Sequence, residues 1–120
     1  MGLDMMLNAK GKHRAYYEAM YWRKVNATHQ WFVENVQDNV DDCNEYPVSR
    51  EKLTTLLELC ELVANNPTEA GNILPTQEGF FFGGTEYDEW YFDNIKRTVE
   101  ELRALLNDVE VDTFVYQSSW

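Results

Sequence analysis

Val109–Tyr116, reading Val-Glu-Val-Asp-Thr-Phe-Val-Tyr, is the stretch on which the fold turns. β-Branched and aromatic residues fill most of it, a composition that suits a pleated, half-buried surface better than a helix. It reads as a strand closing the chain. At the other end Leu3, Met5 and Leu7 alternate with Asp4, Met6 and Asn8, a period of two that also signals a strand. Two terminal strands of similar length can pair, with the elements between them packed on the sheet they form. The class expected is therefore α+β: about three helices packed on a small sheet formed by the terminal strands.

Between those strands the pattern changes. Lys10-Gly11-Lys12 breaks the first strand, and from about Ala15 to Gln37 the spacing predicts a helix. Tyr21, Val25, Phe32 and Val36 fall on one stripe, with Trp22, His29 and Val33 beside it. Residues 37–47 form an acidic loop. A second helix follows, with Ser49 as N-cap, Glu51 in the first turn, and Val48 placed to staple onto Leu53. Leu53, Leu56, Leu57, Cys60 and Ala64 line one face, and Asn65-Asn66-Pro67 stops it. Residues 68–71 add a short turn of helix. Residues 75–84 read as a loop in which Phe80-Phe81-Phe82 is a candidate short strand. Thr85 and Asp88 resemble a capping box opening a third helix through Tyr91, Ile95, Val99, Leu102 and Leu106, ending near Asn107-Asp108.

The length of 120 residues fits one domain spanning 1–120, large enough to bury a core. Apolar residues at 44 % and aromatics at 14 % exclude a disordered chain. The net charge of −11 argues against direct binding of nucleic acid or an anionic membrane, whose phosphates it would repel, and favours a basic protein surface. Residues 1–30 carry Lys10, Lys12, Arg14, Arg23 and Lys24 against Asp4 and Glu18, a net +3, so the rest of the chain carries −14. The molecule is a polarised acid with one basic end. No apolar run reaches the roughly 18 residues of a membrane span, and no secretory signal or myristoylation pattern opens the chain, so a cytoplasmic protein is expected. Cys43 and Cys60 are then expected as reduced thiols, Cys60 as core filler and Cys43 as a poor nucleophile beside Asp41 and Asp42.

The densest acidic cluster is Asp38, Asp41, Asp42 and Glu45. Hard cations need oxygens from a turned loop, but the spacing is not that of an EF-hand, so the expectation is a solvated loop or one facing a basic partner, with no metal. Glu86, Asp88, Glu89 and Asp93 are accounted for largely by the N-terminus of the third helix. They would also repel a phosphate from the Gly83-Gly84-Thr85 turn. His29, between Val25 and Phe32, reads as a hydrogen-bonded core histidine rather than a general base. No spacing completes a catalytic triad, so no catalytic residue is assigned and an enzyme is not expected.

The aromatics carry more. Phe80, Phe81, Phe82, Tyr87, Trp90, Tyr91 and Phe92 crowd into thirteen positions. One helical stripe cannot bury Trp90, Tyr91 and Phe92 together, so either both sides of that helix are covered or some rings line a groove. Phe81, Trp90 and Tyr91 are candidate anchors for a protein partner, beside the charge of Asp38, Asp41, Asp42 and Glu45. Exposed rings serve a homodimer equally well. An alternative set, Tyr21, Trp22, Arg23, His29 and Trp120, suits a flat anionic ligand, with Arg23 on phosphate and a ring on a base.

Tyr21-Trp22-Arg23-Lys24, His29-x-Trp31-Phe32-Val33-x-Asn35-Val36-Gln37-Asp38, Asp41-Asp42-Cys43 and Val48-Ser49-Arg50-Glu51 resemble a family of small uncharacterised proteins encoded in phage and prophage genomes. So do Leu74-Pro75-Thr76-Gln77-x-Gly79-Phe80-Phe81-Phe82-Gly83, Thr85 to Phe92, the opening Met1 to Met5 and the closing Phe114-Val115-Tyr116-Gln117-x-Ser119-Trp120. Members often carry an aromatic where Met6 stands and a longer stretch before Tyr21-Trp22. The resemblance carries over no active-site residues and no cofactor. It implies a phage accessory role in the host cytoplasm. The expectation is a non-enzymatic inhibitor that docks on a basic host protein, such as a nucleic-acid-handling defence enzyme of the CRISPR effector kind. The alternative is a binder that sequesters a nucleotide defence signal.

Overall fold

The computed structural model describes residues 2–79 and 82–120. Strands β1 (Asp4–Gly11) and β2 (Arg14–Arg23) form a hairpin and lead into helix α1 (Asn26–Asn35). The short strand β3 (Tyr46–Val48) precedes helix α2 (Arg50–Asn65), a 3-10 turn (Pro67–Glu69) and the one-turn helix α3 (Ala70–Ile73). Helix α4 (Glu89–Asn107) and strand β4 (Val111–Ser119) complete the chain. The terminal strands pair antiparallel from Asp4↔Ser119 to Lys10↔Thr113 and form the middle of a four-stranded sheet ordered β2-β1-β4-β3. The α+β class read from the two ends of the sequence is the class of the structure.

The strand alternation sorts the sheet into two faces. Met5, Leu7 and Ala9 of β1, Phe114 and Tyr116 of β4, and Met20 and Trp22 of β2 are buried, and they form one core with the apolar faces of α1, α2 and α4. Asp4, Met6 and Asn8 turn to the other, partly exposed face. At the centre the Phe32 and Tyr116 rings stack 3.8 Å apart, with Trp22 edge-on to Phe32 at 6.0 Å. Gly11 admits a tight crossing, because a Cβ there would fall 1.8 Å from the Glu110 carbonyl oxygen.

The expected helix over 15–37 is half strand. Residues 14–23 are β2, and only Asn26–Asn35 is helical. Helical spacing between Tyr21 and Val25 was coincidental. Tyr21 is 40 % exposed opposite Met6, whereas Trp22 opposite Met5 is fully buried, the alternation of a strand. The chain turns the corner at Lys24, whose φ of 56° is left-handed and whose N–H donates to the Leu3 carbonyl at 2.7 Å.

Helix α2 starts where Ser49 predicts, its hydroxyl accepting the Lys52 N–H at 3.1 Å. Helix α4 is capped by Asp88, whose carboxylate accepts the Tyr91 N–H at 3.1 Å, so it opens three residues beyond Thr85. Arg50 ties these elements together. Its guanidinium donates to the Leu106 and Val111 carbonyls at 2.6 and 2.5 Å, placing a cation at the C-terminal end of α4.

Candidate functional site

Of the three buried polar side chains of helix α1, Asn26, Thr28 and His29, the first and the last lie one turn apart and reach outward from the helix. Each of these two holds a loop. The His29 Nε2 lies 2.9 Å from Asp41 Oδ1 and its Nδ1 lies 2.6 Å from the Tyr116 hydroxyl. A carboxylate can only accept, so Nε2 carries the proton and Nδ1 accepts from Tyr116. Burial pushes the His29 pKa below its ordinary value, and the Asp41 charge opposes that only in part. The imidazole is therefore neutral at pH 7. Burial likewise drives the Tyr116 phenol well above its usual range, so it stays a donor.

Asp41 is thereby fastened to the core, and the Trp120 indole N–H donates to the same carboxylate oxygen at 3.2 Å. The rest of the acidic loop is tied to β4 and to itself. Gln117 donates to the Cys43 carbonyl at 3.0 Å, and Tyr46 donates to Asp42 at 2.8 Å. The Asn44 N–H and the Tyr46 hydroxyl hold the Asp42 carboxyl below its usual range. Asp38 and Glu45 are exposed, Asp38 in a left-handed conformation beside Asn39. Beside the loop lies an open hollow of about 390 Å³, lined by Asp41, Glu78, Phe82 and Trp120 together with Gln30, Gln77 and Gly79. None of these is basic.

The second loop, described over residues 74–79 and 82–88, is held by Asn26. Its amide donates to the Phe82 and Gly84 carbonyls at 3.0 and 2.8 Å, and its oxygen accepts the Gln77 N–H at 2.9 Å. Thr76 adds a bond from its hydroxyl to the Thr85 carbonyl at 2.8 Å. This loop walls a larger cavity of about 430 Å³, bounded by residues 23–27 and by Gly83, Gly84, Glu86, Asp88, Trp90 and Tyr91.

The expected protein-binding set is only partly assembled. Asp38, Asp41, Asp42 and Glu45 share one loop, but Trp90 lines the other cavity. Tyr91 is no surface anchor: one residue along α4 turns it inward, it is 4 % exposed, and its hydroxyl donates to the Leu74 carbonyl at 2.8 Å. Phe81 lies outside the described residues. The alternative set is dispersed. Trp22 is buried, with its indole N–H on Thr98 at 2.9 Å, while Tyr21 points to the opposite sheet face and bonds Asp4. Arg23 pairs with Asp4 at 2.9 Å. Within that set His29 and Trp120 meet through Asp41, and Tyr21 and Arg23 meet separately through Asp4. Asn26, Lys24 and Glu78 were missed. Asn26 and Lys24 stood inside the misread helix, and Glu78 was one acid among many.

Among the described residues, no group of three or more His, Cys, Asp or Glu side chains is placed to hold a metal ion. No described helix is long and apolar enough to cross a membrane. Comparison with protein-family models, with curated proteins and with solved structures found no match to the chain.

Proposed function

We propose that this is a non-enzymatic binding protein, a phage-encoded accessory factor that docks its acidic loop on a basic surface of a host protein and inhibits it. The observation that carries this reading is the hollow beside Trp120, with Asp41 and Glu78 among its walls, two aromatic rings and no cation. An arginine or lysine side chain of a partner finds there carboxylates and an indole, the surroundings that favour a cation. The loop is also fastened in place by His29, Gln117 and Tyr46, so little ordering cost remains to be met on binding. Trp120, 42 % exposed, supplies an anchoring ring in place of Tyr91, which is buried. A net charge of −11 speeds encounter with a basic groove such as a nucleic-acid-handling enzyme presents.

The test is recovery of the protein from a bacterial lysate at low salt, read by native mass spectrometry. A basic host protein should co-elute, dissociate as salt rises, and be lost from an Asp38→Lys/Glu45→Lys variant. Neither side chain holds the loop together, so the fold should survive. A complex indifferent to salt and to both reversals would sink the reading.

A further inference from the structure

The larger cavity has a different chemistry. Lys24 and Glu86 both line it, yet neither pairs with the other or with any described residue. Two opposite charges that share a cavity without meeting leave a gap that a ligand bearing both signs can bridge. Their neighbours are already engaged. Arg23 is neutralised by Asp4, and Asp88 caps α4. Besides Asn26, Thr76 and the two glycines, the remaining lining is apolar: Val25, Ala27 and Tyr91 are buried beneath it, and Trp90 is 47 % exposed with no described ring stacked on it.

The walls are built before any ligand arrives. Asn26 has both amide hydrogens and its oxygen occupied in fixing the loop. Gly83, with φ of +85°, lets that loop close on Lys24, whose Cβ would lie 3.1 Å from any Cβ added there. That approach holds the Lys24 stem against the loop. A volume of about 430 Å³ lies in the range of small-molecule sites.

We infer that this cavity binds a small zwitterion, its anionic group at Lys24 and its ammonium group between Glu86 and the Trp90 ring. A cation gains from both a carboxylate and an indole face, and an anion gains from the lysine. A ligand of one sign meets one attractive wall and one repulsive one. The inference is independent of the acidic loop.

The test is an NMR titration following the backbone amides of Asn26, Gly83 and Gly84. Four probes are compared: phosphocholine, L-phenylalanine, choline and inorganic phosphate. Either zwitterion should shift these amides with an affinity at least about tenfold above choline or phosphate alone. Which zwitterion binds more tightly tells a phosphate from a carboxylate at Lys24. Glu86→Gln and Lys24→Gln should each weaken that zwitterion by about tenfold while the rest of the spectrum keeps its dispersion. The inference is overturned if neither zwitterion moves the amides at about 10 mM. It is equally overturned if a single-charge probe binds as tightly, or if both well-folded variants retain full affinity.

Discussion

The hollow beside Trp120 and the cavity beside Trp90 are both walled by irregular loops that α1 holds from within. His29 holds Asp41 at the hollow, whereas Asn26 holds the loop that walls the cavity and that also supplies Gln77, Glu78, Gly79 and Phe82 to the hollow. Both side chains are buried, and both have every available polar atom engaged. They differ in what they grip and in what can undo them. Asn26 binds main-chain groups with an amide that does not titrate. His29 binds a side-chain carboxylate and a phenol with a ring that can take up a proton, though burial holds its pKa below the ordinary value. A backbone staple fixes the shape of a cavity under all conditions, whereas an imidazole staple makes an acidic surface sensitive to pH.

The comparison breaks most sharply by deleting each staple. His29→Ala removes a fully buried ring and leaves the Tyr116 hydroxyl without its acceptor, which should cost on the order of 3–5 kcal/mol. Asn26→Ala leaves two carbonyls and one N–H, but Gly84 and Gln77 reach solvent, so about 2 kcal/mol is expected. Urea unfolding of both variants checks the order. Backbone amide shifts should show the first variant disturbing residues 38–45 and the second disturbing residues 76–84. A reversal of either pattern would mean that the loops are held by something other than α1.

The pH dependence sharpens the contrast. The folded His29 pKa lies below its ordinary value of 6.5, so as pH falls through that value the unfolded chain takes up a proton that the folded chain refuses. Stability is therefore complete above about pH 7 and declines as pH drops below the unfolded value, until the folded imidazole itself protonates. Asp42, with its carboxyl held below an ordinary value of 3.8, acts in a lower window and does not confuse the result. Urea midpoints at about pH 7.5 and 5.5 should differ for the native sequence and converge for His29→Gln. A difference that survived the substitution would assign the effect to another group.

The same two residues show what the sequence could reveal. Period-two alternation at Leu3–Asn8 and the β-branched run at 109–116 were legible because burying one face imposes a strict pattern on a strand. Ser49 was legible because capping is local. His29 was recognised as a core histidine from its apolar neighbours alone. Its partners were not legible: Asp41, Tyr116 and Trp120 lie 12, 87 and 91 positions away, and only the pairing of β1 with β4 brings the last two beneath α1. The stretch 14–23 was misread because Tyr and Trp suit strand or helix and two of its residues, Tyr21 and Trp22, happened to continue the helical spacing of the residues after it. The hairpin turn at residues 12–13, following Gly11, was the available counter-signal. Losing β2 also hid Lys24, whose left-handed backbone turns the strand into α1 and which lines the cavity.

The smallest effect separates the acidic loop from the core by its chemistry. Cys43 is exposed in the loop, its carbonyl rather than its thiol holding Gln117. Cys60 is fully buried on α2, and burial pushes its thiol up to about 12. A thiol reagent added to the folded protein should therefore modify Cys43 alone, and Cys60 should react only after unfolding. Because the Cys43 side chain anchors nothing, its modification should change stability by no more than about 0.5 kcal/mol. A bulky group there still stands next to Asp42, so it should hinder docking of a basic partner while leaving the fold intact. Two thiols reacting at the same rate in the native state would mean that α2 opens far more readily than its buried face of Leu53, Leu56, Cys60 and Val63 implies. Modification of Cys43 that left partner capture untouched would move the docking surface away from this part of the loop.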